Sequence, residues 1–293
     1  MSRQAPNPLD SSRLTELRRF MTRRRAMGLI GAGAAAALVA GCGGGGSEGT
    51  TDSSSGSSGG SSSGGTTGGT TGGSSSGTCT RVAEETNGPF PADGTNTNGG
   101  VLKNVFTDSR AFRTDIRSDF DGTNTQTGTP LTVTVTLQNV NGSCGVLAGY
   151  YVYVWHCSRN GNYSQYSGTM NGGDFSDRTW LRGVGRTDTN GQVTFTTIFP
   201  GRYAGRATHI HFEVYPDGTP EHNEVVATSQ LAFPASVTSQ VYTNTTLYPS
   251  SAANNTTNER DNVFSDGTDT EMVTISGSNA LGYAASITVA VAA

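Results

Sequence analysis

The fold class that the sequence predicts is an all-β, antiparallel sandwich with irregular loops, a single domain over residues 78–293. Three observations predict it. Short runs of alternating or wholly apolar residues recur along this stretch, which is the periodicity of strands. Turn chemistry separates them, at Asn141-Gly142, Asp188-Thr189-Asn190-Gly191 and Pro216-Asp217-Gly218. No long amphipathic helical pattern follows residue 78. Many short strands joined by Gly, Asn and Asp turns are the mark of a sandwich.

The residues before this domain have a different character. Seven of the chain's 19 Lys+Arg fall within residues 1–41, three of them together as Arg23-Arg24-Arg25. The apolar run that follows, Ala26 to Ala40, has about 15 residues where a membrane-spanning helix needs about 20. It ends in Val39-Ala40-Gly41-Cys42, which looks like a bacterial lipobox. Residues 1–41 therefore read as a twin-arginine-like signal peptide, with Cys42 becoming the lipidated first residue. An uncleaved anchor is the rival reading. Ala26 stands where the twin-arginine pattern wants a large apolar residue, so the general secretory route stays open.

Residues 42–77 are almost entirely Gly, Ser and Thr after Cys42. With no apolar side chains to offset ordering entropy, they read as a flexible, disordered tether reaching on the order of 30 Å. The expected location is outside the cytoplasm, lipid-anchored and facing the periplasm or cell exterior. Setting residues 1–41 aside leaves 12 of 19 Lys+Arg against 21 of 23 Asp+Glu, a net charge of −9. That acidity argues against nucleic acid as a partner. Membrane contact is expected only through the lipid on Cys42.

Within the domain, Leu131 to Leu137 alternates strictly and reads as a half-buried strand. Gly149 to His156 is apolar on both faces, as a central strand would be. Gln192 to Ile198, His209 to Tyr215 and a closing run, Ala284 to Val291, complete the clear strands. Cys79, Cys144 and Cys157 remain for an oxidising compartment. Cys144 and Cys157 sit at opposite ends of one expected strand, whose eight residues at about 3.3 Å each place them well beyond bridging reach. A bridge therefore uses Cys79 with one of these two, and leaves one thiol.

Chemistry gathers between Phe199 and Phe212. His209 and His211 lie at i, i+2, so on a strand both imidazoles share one face while Ile210 and Phe212 take the core face. A neighbouring pair of imidazoles is half of a metal site. The bland alternative is a surface strand that carries two His. A turn at Pro200-Gly201 delivers Tyr203 just before this strand, and a turn at Asn160-Gly161 delivers Tyr163 after Val154-Trp155-His156-Cys157.

Taken in order, Val152-Tyr153-Val154-Trp155-His156-Cys157, Gly161-Asn162-Tyr163, Leu181-Arg182-Gly183, Thr187-Asp188, Gly191, Phe195 to Ile198, Pro200-Gly201-Arg202-Tyr203, Arg206 and His209-Ile210-His211-Phe212 resemble the intradiol ring-cleavage dioxygenases. The likeness spans roughly residues 79–293. It is nearer to the catalytic subunit of protocatechuate 3,4-dioxygenase than to catechol 1,2-dioxygenase, whose helical dimerisation segment has no counterpart here.

The resemblance implies Fe(III) held by Tyr163, Tyr203, His209 and His211. Tyr203 and His211 would be axial, with Tyr203 also a base for the substrate. It implies Arg206 beside the substrate ring and Gln230 as a second pocket residue. The Glu85-Thr86-Asn87-Gly88-Pro89-Phe90 stretch would line the pocket. The activity implied is cleavage of a catechol-type diol by O2 to a muconate-type diacid, with a homo-oligomer compatible. Tyr153 stands where the family places an acidic residue. His156 is expected to pack beside Trp155, and His222 to be solvated. The competing function is a non-catalytic metal-binding or ligand-binding lipoprotein on the same sandwich.

Overall fold

The computed structural model describes residues 78–293, apart from residues 204 and 219 and the side chain of residue 252. The expected signal peptide, Cys42 and the tether lie outside the described residues. A hairpin of β1 (Asp93–Asn98) and β2 (Val101–Asn104) opens the domain. The ten-residue β3 (Pro130–Asn139) follows, then β4 (Gly145–Val146), β5 (Tyr151–Trp155), and the small pair β6 (Ser167–Gly168) and β7 (Gly173–Asp174). Next come β8 (Arg182–Arg186), β9 (Gln192–Ile198), β10 (His209–Tyr215) and β11 (Ala227–Ala232). Two short helices, α1 (Ala235–Val241) and α2 (Pro249–Ala253), precede β12 (Thr274–Ser278) and β13 (Gly282–Val291).

Two sheets form the sandwich. One is antiparallel, in the order β11-β10-β5-β8. The other runs β12-β13-β3-β4, with β9 pairing β3 on the same side as β4. Here the structure departs from a purely antiparallel sandwich, because β13 lies parallel to β3 over nine residue pairs from Tyr283↔Leu131 to Val291↔Asn139. A parallel pair requires a long crossover, and about two-thirds of the domain separates these two strands. Alternation along a strand shows which face is buried but not the direction of its neighbour.

Between the sheets, Leu131, Val133, Val135 and Leu137 pack with Val152, Val154, Phe195, Ile210, Phe212 and Val214. Each such side chain contributes about 1.5–3 kcal/mol on burial. The far face of the β10–β5 sheet is also covered. There Tyr153, Trp155 and Tyr215 meet Phe90, Phe106, Tyr163 and Tyr166 in an aromatic layer. The strand β10 is thus buried along its whole length. The surface-strand reading of the two histidines does not hold.

A disulfide joins Cys79 to Cys144, with Cα atoms 5.8 Å apart, and Cys157 is a buried free thiol. The bridge ties the start of the domain to the turn that follows β3.

Candidate metal centre

Two tight turns bring the tyrosines together. Gly161 has φ +84°, and a Cβ there would lie 2.7 Å from the carbonyl oxygen of Arg202. Gly201 is equally confined, since a Cβ would lie 2.6 Å from the carbonyl oxygens of Ser158 and Arg159. Glycine at both positions lets the two tyrosine-bearing loops touch backbone to backbone. The connection after β11 supports them from outside. Tyr248 donates its hydroxyl to Phe199 O and Tyr242 donates to Pro200 O, holding the turn that leads to Tyr203.

Four rings converge as a result. The Tyr163 oxygen is 3.3 Å from His209 Nε2, and that nitrogen is 3.1 Å from His211 Nε2. The Tyr203 ring lies edge-on to Tyr163 at 5.6 Å between centroids and 5.8 Å from the His209 ring. The two imidazoles are held differently. His209 Nδ1 donates to Ala207 O at 2.7 Å, which leaves Nε2 as the free lone pair. His211 stacks on Trp155 at 4.8 Å and 4° between planes, and Trp155 stacks on Tyr153 at 4.8 Å. Gly88, at φ +71°, comes so close that a Cβ would sit 3.1 Å from His211 Cε1. Phe90 covers Tyr163 with centroids 5.0 Å apart.

Burial sets the electrostatics of this cluster. It holds His209 and His211 neutral, far below their ordinary pKa, with the Arg206 charge adding to the effect on both. It likewise pushes the Tyr163 and Tyr203 phenols up. A cation held among them would reverse that preference and favour the phenolates. Among the described residues, no group of three or more His, Cys, Asp or Glu is placed to hold a metal ion. Two phenol oxygens and two imidazole nitrogens, without thiolate, suit a hard and highly charged metal ion.

Arg206 adjoins this cluster. Its Nη1 donates toward the Tyr203 oxygen at 3.3 Å, its Nη2 to Gln230 Oε1 at 2.6 Å, and its Nε to both oxygens of Asp261 at 3.0 and 2.9 Å. Burial works against the guanidinium charge, but Tyr203 and Asp261 outweigh it and its pKa is raised. Gln230 in turn donates to Thr86 O at 2.8 Å, which links the Glu85–Phe90 stretch to the site. A cleft of about 490 Å³, lined by Asn160, Met170, Arg202, Tyr203 and Asn254, opens beside Tyr203.

All six residues singled out from the sequence, Tyr163, Tyr203, Arg206, His209, His211 and Gln230, therefore meet. His156 does not join them. It is buried and bonds Thr197 Oγ1 and Cys157 O. His222 is exposed on a polar loop. Tyr153, which takes the place of the acidic residue usual in the family that the sequence resembles, donates to Pro91 O and accepts from Arg182 Nη1. Sequence reasoning missed Asp261, Trp155 as the partner of His211, and the buried Arg182, whose five bonds tie Phe90, Pro91, Tyr153 and Ser164 together.

The fold matches solved intradiol dioxygenases. The intradiol ring-cleavage dioxygenase from Tetranychus urticae aligns with a TM-score of 0.56 at 24% identity, over 73% of this chain and 94% of that one. A second dioxygenase crystal structure aligns with a TM-score of 0.56 at 23% identity over the same shares. The dioxygenase domain of a carbohydrate-binding fusion from Streptomyces sp. SirexAA-E aligns at 21% identity over 72% of this chain and 97% of that one, with a TM-score of 0.46. At these identities the likeness is one of fold. No protein-family model and no curated protein matches the sequence.

Proposed function

We propose that the domain is an Fe(III)-dependent intradiol dioxygenase, opening a catechol-type diol with O2 to a muconate-type diacid. The observation that carries this reading is the meeting of buried Tyr163, His209 and His211 with half-buried Tyr203 in one cluster, with Arg206 directed at the Tyr203 oxygen. Tyr163, Tyr203, His209 and His211 would hold the iron, which when bound supplies the Lewis acidity that makes a catechol reactive toward O2.

The rest follows from the chain's own residues. His209 keeps Nε2 available because Nδ1–H is committed to Ala207 O. His211 keeps its plane against Trp155. As the phenolate that a bound metal would leave, the Tyr203 oxygen would accept a proton from the incoming diol, and among the four proposed ligands Tyr203 lines the open cleft. Arg206, permanently charged and nearly enclosed, stabilises negative charge beside that oxygen. Gln230 orients the guanidinium from one side. Phe90 and Trp155 exclude water from the aromatic wall.

Iron-loaded protein is expected to be red-brown, with one iron per domain, and to take up O2 while ring-opened product appears by mass spectrometry over a panel of catechols. Loaded, folded protein without a visible band would overturn the two-tyrosine ligand set. Loaded protein that cleaves no catechol would favour a binding role.

The domain is further proposed to be exported and lipid-anchored through Cys42 behind the 42–77 tether. The Cys79–Cys144 disulfide supports export, since such bonds persist in oxidising compartments. Cys42→Ser is expected to abolish the lipid mass shift and membrane retention while the domain still folds. Retention identical to the unaltered chain would refute the anchor.

A further inference from the structure

We propose that Asp261 is a positioning residue that fixes the Arg206 guanidinium at the Tyr203 oxygen. The proposal rests on the reading of Tyr203 as part of the reacting centre. Arginine is a long side chain with much rotamer freedom, and a charge at its tip is useful only if held in one place. In this site the fork is divided among three partners. Nη1 faces Tyr203, Nη2 meets Gln230, and Nε meets both carboxylate oxygens of Asp261. Gln230 is neutral, so the contact that pairs two opposite charges is the one to Asp261.

Asp261 is itself built into the backbone. It is fully buried, and its carboxylate accepts the backbone N–H of Ala207 and, at 2.8 Å, that of Val263. Ala207 follows Arg206 in sequence, so one carboxylate clamps the side chain of one residue and the main chain of the next. The same Ala207 offers its carbonyl to His209 Nδ1 at 2.7 Å. A single group delivered by the α2–β12 connection therefore braces both the guanidinium and the residue whose carbonyl orients an imidazole. Asp261 touches neither Tyr203 nor the histidines among its observed bonds, and so acts through Arg206 and Ala207.

The experiment is a double-mutant cycle on the iron-loaded full chain, with Asp261→Asn, Arg206→Ala and the pair together. It follows kcat on a catechol that the unaltered chain cleaves, iron content, and the tyrosinate-to-iron band. Asp261→Asn keeps the shape and loses the charge. The expected results are iron retained, kcat lowered roughly 10–100-fold, and the visible band displaced because the Tyr203 oxygen loses its donor. The double variant should be slower than Arg206→Ala alone by far less than Asp261→Asn slows the unaltered chain, the small remainder coming from the Ala207 contact. Costs that multiply in the double variant would overturn the proposal, as would Asp261→Asn with unchanged kcat and band. Should Asp261→Asn fail to fold, Asp261→Glu keeps the charge and displaces it by one methylene. A lowered kcat and moved band at unchanged iron content then support the proposal, and unaltered values refute it. If the unaltered, iron-loaded chain cleaves nothing, the functional reading falls and takes this proposal with it. That outcome is recognised in the control alone.

Discussion

The two faces of β10 are buried alike but are assigned opposite work. On one, Ile210, Phe212 and Val214 lie in the sandwich core among valines, leucines and phenylalanines. On the other, His209, His211 and Glu213 are just as enclosed but polar. Burial of apolar groups is favourable by itself, whereas burial of imidazoles and a carboxyl costs free energy unless partners recover it. The core face is thus self-sufficient. The other face is stable only because bonds, stacking and a prospective metal take the place of water. The rings of His209 and His211 lie 4.7 Å apart, and protonating both would set two charges at that distance. The site face is accordingly where stability is exchanged for chemistry.

The sharpest break in this comparison is a pair of alanine substitutions three residues apart on β10, one on each face. Phe212→Ala should cost about 3–5 kcal/mol of stability, read from denaturant unfolding, while folded protein still binds iron. His209→Ala should leave the core intact but lose both iron and activity, read by metal analysis and O2 uptake. If Phe212→Ala abolishes iron binding at full folding, or His209→Ala retains the iron, the two faces are not separable in this way.

A smaller effect falls on Arg206, which borders the site without belonging to the proposed ligand set. Arg206→Ala should keep the metal and a visible band, and lower the rate about 10²–10³-fold, or roughly 2.7–4 kcal/mol in the barrier. Near-normal turnover would show that its charge is not used in the reaction.

What could be read beforehand divides along the same line. The His209–His211 pair was legible because the strand period places i and i+2 together, and Asn160-Gly161 and Pro200-Gly201 announced the turns that present the tyrosines. The strands themselves followed from local alternation, and β10 has the boundaries expected for it, His209–Tyr215. Long-range partners were not legible. Asp261 stands 55 residues from Arg206, in a polar stretch that carries no motif. The parallel run of β13 along β3 needs the path of the whole chain. Spacing excluded a Cys144–Cys157 bridge but could not choose between Cys144 and Cys157 as the partner of Cys79. That choice depends on where the N-terminal segment lies, and it lies along β13, with Val82 N bonded to Ala290 O.

The finest test uses His156, a histidine that the site does not employ. It is 1% exposed, with Nε2 on Thr197 Oγ1 at 2.7 Å and Nδ1 on Cys157 O at 2.8 Å. Burial, with a further contribution from the Arg182 charge, lowers its pKa to about 4, against partial opposition from the Cys157 carbonyl. In the unfolded chain it titrates near 6.5. Between those values the unfolded state binds the proton and the folded state does not, so stability falls as pH drops from about 6.5 toward 4. The slope approaches about 1.4 kcal/mol per pH unit in the middle of that window. Below it both states are protonated and the loss is complete. His156→Gln retains an amide for Thr197 and removes the titration. In iron-free protein the variant should therefore lose less stability than the unaltered chain between pH 6.5 and 4, with residual acid sensitivity from His209 and His211, which are also held neutral by burial. Urea unfolding across that range reads the difference directly. Parallel stability curves for the two proteins would mean that His156 is protonated as readily in the fold as out of it.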